Sequence, residues 1–430
     1  MKKIFAISIL TATLMSCRKT DFTPASVSAG TADFTTFVSI GNSLTQGYMD
    51  GGLYNYGQSN SYPSIIAKQM KLADPSMMYL QAMTTGNGSG HIHLAYVNGS
   101  IDPIQAADSN YTNPTGPDPS WANWGASYQG TNINNIAISG IRLTDCVALT
   151  PTEKVINYIV CSGNPYGRFL KFGSLGNPTQ YIDHIRSSKA TFFTCWLGSN
   201  DVLGYATNGG VTQSPFPGIT IDNITPPAVF AQKYDSILLA FHNLGAKGIC
   251  MTIPNVTSIP YFNTVPTYVV VNGVRKYFYI TTWNGTVRKA TNNDYILITD
   301  YDSISSGQGT SANRPVPNNQ VLDVVEADSV ANATAQYNSS IISLANEYGF
   351  GVVDMNANLQ TFQTSETISG ITFERTFISG GMFGLDGIHP NARGYAVVSN
   401  YIIDGINQYY KSTLPEVDIT KYKGVIFPNF

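Results

Sequence analysis

Apolar and polar positions fall in short blocks along this chain, and the blocks change period. Phe34 to Ile40, FTTFVSI, is dense in β-branched and aromatic residues and predicts a buried strand ending at Gly41. Ile133 to Ser139, Ala190 to Leu197, Gly248 to Ile253 and Phe350 to Asp354 repeat the pattern, and glycine or proline stops three of them. Helical spacing lies between the strands. Pro63 opens a helix from about Tyr62 to Leu72, and another is expected around Gln180 to Ser188. Phe230, Tyr234, Ile237, Leu238 and Phe241 recur at helical spacing behind Thr225 as cap and Pro226 as first residue. Val330 to Tyr348 and Ala392 to Tyr409 supply two more helices. Strands alternating with helices predict a parallel sheet covered on both faces.

Two stretches break this alternation. Residues from about 86 to 131 are rich in glycine, proline and asparagine, carry Trp121 and Trp124, and predict a long irregular loop of the kind that is usually functional. Residues from about 255 to 323 hold Asn272-Gly273 between two β-rich runs, which predicts a hairpin inside an inserted β cap or lid. There is no internal repeat.

The chain start has its own pattern. Lys2 and Lys3 precede an apolar run, Ile4 to Leu14, that is too short to span a bilayer, and Leu14-Met15-Ser16 leads into Cys17. This resembles a bacterial lipoprotein signal, which implies residues 1–17 as signal and lipidation site, with Cys17 acylated. Each buried methylene would contribute roughly 0.8 kcal/mol to membrane attachment. Residues 18–33 then form a flexible tether, and 34–430 one large α/β domain with insertions. The expected location is outside the cytoplasm, anchored to the cell envelope at the outer membrane.

Composition removes some functions. A net charge of −3 gives no electrostatic reason to bind nucleic acid. Cys146, Cys161, Cys195 and Cys250 show no metal-ligand spacing. Cys195 and Cys250 sit in apolar runs as buried thiols, whereas Cys146 and Cys161 flank a loop and leave a disulfide between them open. His91 and His93 alternate as strand neighbours without a third metal ligand, and His184 and His242 fall in predicted helices.

Candidate chemistry sits where strands end. Ser43 follows the first strand by two residues, at the end of an α/β sheet where ligands bind, and is a candidate nucleophile. His389 lies in Leu385-Asp-Gly-Ile-His-Pro390, directly before the closing helix. Asp386, three residues earlier across a glycine turn, can meet the imidazole Nδ1 and leave Nε2 free. Attack on an ester carbonyl needs oxyanion donors fixed in advance. The backbone N–H of Gly140 and the amide of Asn200, each just past a strand, are the candidates.

Four blocks in order then resemble the SGNH hydrolase, or GDSL esterase/lipase, family. Gly41-Asn-Ser-Leu44 is similar to the nucleophile block, Asn135-Ile-Ala-Ile-Ser-Gly140 to the glycine block, Gly198-Ser-Asn-Asp201 to the asparagine block, and Asp386-Gly-Ile-His389 to the acid and base block. The resemblance spans about residues 34 to 410, outside the long insertions. It implies a three-layer α/β/α flavodoxin-like fold with five parallel strands in the order 2-1-3-4-5. It also implies Ser43 as nucleophile, His389 as base and Asp386 as orienter, with Ser43, Gly140 and Asn200 forming the oxyanion hole and no cofactor or metal. The implied reaction is hydrolysis of a carboxylic ester, in a lipid or an acetylated carbohydrate, with Met77, Met78, Met83, Met382 and Phe383 available to line an acyl site. One departure is Asn42, where the family usually has aspartate; its expected effect is tuning. The rival expectation is a non-catalytic envelope lipoprotein that holds glycan or lipid.

Overall fold

The computed structural model describes residues 26–84, 86–106, 133–167, 169–216 and 219–428. Cys17, Trp121 and Trp124 lie outside them. Four parallel strands build the central sheet: β1 (Phe37–Gly41), β2 (Phe192–Trp196), β3 (Lys247–Met251) and β4 (Gly351–Val353), side by side in that order. The register pairs Gly41 with Trp196 and Cys195 with Cys250.

The outer position beside β1 belongs to residues 133–139, which run parallel to it without forming a continuous strand. The Ser39 N–H donates to Asn134 O at 2.9 Å, Ile136 N–H to Ser39 O at 3.1 Å, and Ile138 N–H to Gly41 O at 3.2 Å. Two asparagines explain the irregularity, because their side chains take bonds that a regular ladder would give to backbone. Asn134 Nδ2 donates to Phe37 O, and Asn135 Nδ2 donates to Thr45 O while its Oδ1 accepts from Ala137 N–H. The expected order 2-1-3-4-5 is therefore present, with its first member reduced to bridge pairing.

Helices cover both faces. In chain order they include α1 (Ser43–Gln46), α2 (Tyr62–Ala73), α3 (Pro151–Gly163), α4 (Tyr181–Ser187), α5 (Asn200–Thr207), α6 (Pro227–Asn243), α7 (Val324–Glu347) and α8 (Ala392–Tyr410). Alternate strand residues feed separate cores, as a period of two requires. Phe37, Phe192, Trp196 and Ile249 pack with Ile65 and Met70 of α2 and Tyr395 and Ile402 of α8. Val38, Ile40, Phe193 and Cys250 pack with Phe230 and Tyr234 of α6 and Tyr337 and Ile341 of α7. The result is an α/β/α sandwich.

The two breaks in the alternation hold β-hairpins. His91–Val97 pairs antiparallel with Ser100–Ala106 around Asn98-Gly99, where the sequence pattern predicted an irregular loop; the rest of that loop, residues 107–131, lies outside the description. Within 255–323, Tyr268–Val271 pairs with Val274–Tyr277 across Asn272-Gly273, both residues at positive φ as a type I′ turn requires. A second hairpin follows, Tyr279–Thr281 with Val287–Lys289, and Phe278, Ile280, Ile296 and Val316 give the insertion a small core of its own. Cys146 and Cys161 are buried free thiols: the Cys146 thiol donates to Arg142 O and the Cys161 thiol to Asp145 O. Cys195 and Cys250 are buried free thiols as well.

Candidate active site

β1 ends at Gly41, and the chain turns into α1 at once. Asn42 is the N-cap: its Oδ1 accepts from Leu44 N–H at 3.1 Å, which starts the helix at Ser43. The Ser43 side chain is thereby held at the carboxyl end of the sheet, and its N–H is one of the first-turn donors that have no carbonyl within the helix. Asn42 Nδ2 is buried without a partner among the described residues.

Chain folding brings residues 346 positions apart into contact. His389 Nε2 lies 2.8 Å from Ser43 Oγ, and His389 Nδ1 lies 2.8 Å from Asp386 Oδ2. The second bond is local: Asp386 Oδ1 accepts the N–H groups of Ile388 and His389, both at 2.9 Å, so the carboxylate closes a tight turn and faces the ring. Behind that turn, Asn391 caps α8 by accepting from Gly394 N–H. Burial pushes the Asp386 carboxyl up, but His389 beside it and the backbone N–H groups of 388 and 389 outweigh that and hold it below its ordinary range. It remains a carboxylate at neutral pH, the form that accepts a proton from Nδ1.

Three supports of this turn have no sequence signal that says what they touch. The Gly51 N–H donates to Asp386 Oδ2 at 2.8 Å, so the acid carries a second donor from a distant loop. Asp50 Oδ1 accepts from Leu385 N–H at 2.7 Å while its Oδ2 accepts from the Tyr54 hydroxyl at 2.8 Å. The Tyr48 ring packs against the imidazole with centroids 4.7 Å apart. The Asp-Gly-Gly turn at 50–52 was the one local hint, and it does not say what the turn touches.

Gly140 and Asn200, the further candidate oxyanion donors, follow the 133–139 segment and β2 at the carboxyl end of the sheet. Gly140 has φ +81°, and an added Cβ would meet only Asn164 Nδ2, at 3.8 Å, so backbone conformation and not crowding demands glycine here. Its N–H has no hydrogen-bond partner among the described residues. Asn200 opens α5, and its Nδ2 donates to Ile141 O at 2.9 Å, which engages one of its two N–H bonds and fastens it beside the Gly140 turn. Buried Asp201 secures the same junction by accepting from Leu143 N–H at 2.8 Å and from the Thr225 hydroxyl at 2.7 Å. Thr225 is thus not the cap of α6; Pro226 occupies that position.

A narrow cleft opens over Ser43, Asn200 and His389, with walls from Leu44, Trp196, Leu203, Met382, Phe383 and Ile388. Of the methionines expected at an acyl site, Met382 lines this cleft, Met77 is buried in a core and Met78 is exposed. His91 stacks on Tyr54 with centroids 4.1 Å apart, and His91 and His93 line a separate hollow together with Asp50. Among the described residues no group of three or more histidine, cysteine or acidic side chains is arranged to hold a metal ion.

The sequence matches the family model described as GDSL-like Lipase/Acylhydrolase over residues 37–402. No curated protein matches it. Among solved structures it is similar to LAE5, an alpha/beta hydrolase enzyme from the metagenome of Lake Arreo, at 12% identity and TM-score 0.37, covering 87% of this chain and 96% of that one. It is similar to Axe2, an acetylxylan esterase from Geobacillus stearothermophilus, at 12% identity and TM-score 0.36, covering 88% and 96%. It is also similar to an extracellular lipase from Streptomyces rimosus, at 12% identity and TM-score 0.32, covering 86% and 98%.

Proposed function

Because this chain belongs to the GDSL-like lipase/acylhydrolase family and is a carboxylic ester hydrolase, we propose that Ser43, His389 and Asp386 carry out its reaction as a nucleophile, a base and an orienting acid. The reading rests on one observation above the others: the unbroken sequence of contacts from Ser43 Oγ through His389 to Asp386, each at 2.8 Å. In the resting state His389 Nδ1 bears the proton and Nε2 accepts from the serine hydroxyl. As Oγ attacks the ester carbonyl, Nε2 takes that proton, and the Asp386 carboxylate stabilises the imidazolium. Negative charge on the carbonyl oxygen meets the N–H groups of Ser43 and Gly140 and the free N–H of Asn200. The imidazolium then protonates the departing alcohol, and water, activated by the same ring, releases the acid from the acyl-enzyme. No step calls for a cofactor.

The apolar walls of the cleft support an acyl group lying against Leu44, Met382 and Phe383, with the alcohol portion directed to solvent. Both a lipid ester and an acetylated carbohydrate present such a group. A binding protein without turnover, the rival reading, has no use for a buried serine, imidazole and carboxylate in mutual contact. The test is Ser43→Ala assayed on short p-nitrophenyl esters. Turnover should fall to near background while the melting temperature stays close to that of the parent; a folded variant with undiminished turnover would remove Ser43 from the mechanism.

A further inference from the structure

A peptide unit is planar and trans, so fixing its carbonyl oxygen fixes its N–H in the opposite direction. The unit joining Ser139 to Gly140 carries the candidate oxyanion N–H on one side. On its other side, the Ser139 carbonyl accepts from Asn164 Nδ2 at 2.9 Å. Asn164 is itself oriented, because its Oδ1 accepts from Tyr166 N–H at 2.8 Å; a backbone N–H can only donate, which settles which arm of the amide is oxygen. The Tyr166 carbonyl in turn accepts from Gln46 Nε2 at 3.1 Å. Gln46 Oε1 then accepts both the N–H and the hydroxyl of Ser139, each at 2.7 Å.

These bonds close a ring through Gln46, Ser139, Asn164 and Tyr166. Gln46 lies in α1, three residues after Ser43, and Asn164 follows α3, in a region to which the sequence pattern assigned no role. Every side-chain amide arm in the ring has a partner of the right kind. Gly140, at φ +81°, lies in a turn closed by the Ile141 N–H on Ile138 O at 3.2 Å, and among the described residues Asn164 is the one side chain bonded to the peptide unit that precedes it.

We propose that Asn164, with Gln46, is a positioning residue that locks the Ser139–Gly140 peptide so that the Gly140 N–H faces the oxyanion before substrate arrives. The assignment rests on the proposed role of Gly140 as a donor. Donors aimed in advance stabilise charge without reorganising during the reaction, and complete loss of one typically costs ~10²–10³ in turnover. Asn164 touches no reacting atom, so its removal should cost part of that amount and leave substrate affinity in place.

The experiment compares an aryl ester with the matching thionoester in wild type, Asn164→Ala and Ser43→Ala. Sulfur accepts hydrogen bonds poorly, so the thionoester gains little from aimed donors. Asn164→Ala should lower kcat for the ester about 10–100-fold, with KM changed by less than about threefold and the thionoester much less affected, so the ester-to-thionoester ratio collapses. Should that variant fail to fold, Asn164→Asp keeps the bond from Tyr166 N–H and the side-chain volume but turns an oxygen toward Ser139 O, and the same collapse is expected. Equal losses on both substrates, or wild-type kcat, would overturn the clamp. Ser43→Ala separates this from failure of the site itself: it should abolish both reactions, and if it does not, the nucleophile assignment fails whatever Asn164 does.

Discussion

Asp386 shows how much one side chain depends on its immediate partners. Burial alone would favour the neutral acid, and the pairing with His389 reverses that. Asparagine at this position keeps the size but carries an N–H arm that can face Nδ1, which would select the tautomer with its proton on Nε2 and leave the ring unable to accept from Ser43. Asp386→Asn is therefore expected to lower kcat by roughly 10²–10⁴ with little change in KM. Steady-state kinetics on a short aryl ester would measure it, and a loss below about threefold would mean the carboxylate does not orient the base. Much at this scale was legible in the sequence. Asp386 and His389 are joined across a three-residue turn, and local spacing can report such a contact. Ser43, Gly140 and Asn200 were legible as residues just beyond strand ends. The Gly51 N–H on Asp386 was not, because it joins positions 335 apart through backbone, and backbone donors leave no trace in residue type.

Elements were legible where burial imposes a clean period and obscure where it does not. Helix α6 buries Phe230, Tyr234, Ile237 and Phe241 and stood out. Helix α3 leaves Val155 and Ile159 exposed and buries Asn157, so its apolar positions do not mark its buried face. Helix α7 begins at Val324, ahead of the predicted Val330, because a capping box starts it: Asp323 accepts from Glu326 N–H, and Glu326 Oε2 accepts from Asp323 N–H at 2.9 Å. Glu326 is buried, and burial, with Asp323 and Asp294 nearby, pushes its carboxyl up to about 7. The sign of its effect on stability follows from linkage. An unfolded glutamate ionises near 4.3, so between about 4.3 and 7 the folded chain retains a proton that the unfolded chain has lost. Folding stability from this group therefore falls as pH rises through that interval. Glu326→Gln removes the titration and keeps an acceptor for the Asp323 N–H. The melting temperature of the variant relative to the parent should rise between pH 5 and pH 8, and a gap independent of pH would contradict the raised carboxyl.

At the scale of the whole molecule, the sheet decides where chemistry is available. Parallel strands aim their carboxyl ends the same way, so the turns after β1, the 133–139 segment and β2 deliver Ser43, Gly140 and Asn200 to one edge. The α/β/α sandwich was legible because alternating strands and helices admit few other arrangements. Other features were not: the 133–139 segment reads as a strand by composition, and only the contacts of Asn134 and Asn135 disclose why its ladder is broken. The hairpin at 91–106 had an Asn-Gly turn signal between its strands, hidden by the glycine-rich residues around it. All of these parts converge on the contact between the Ser43 hydroxyl and the His389 imidazole, the pair that the proposed reaction uses as nucleophile and base. The most direct measurement is the intact mass of the protein after exposure to an aryl fluorophosphonate, followed by peptide mapping. A single adduct on Ser43, formed rapidly in the parent, slowly in His389→Ala and not at all in Ser43→Ala, is the predicted result. An adduct on another residue, or no adduct on a parent enzyme that still hydrolyses esters, would contradict the account.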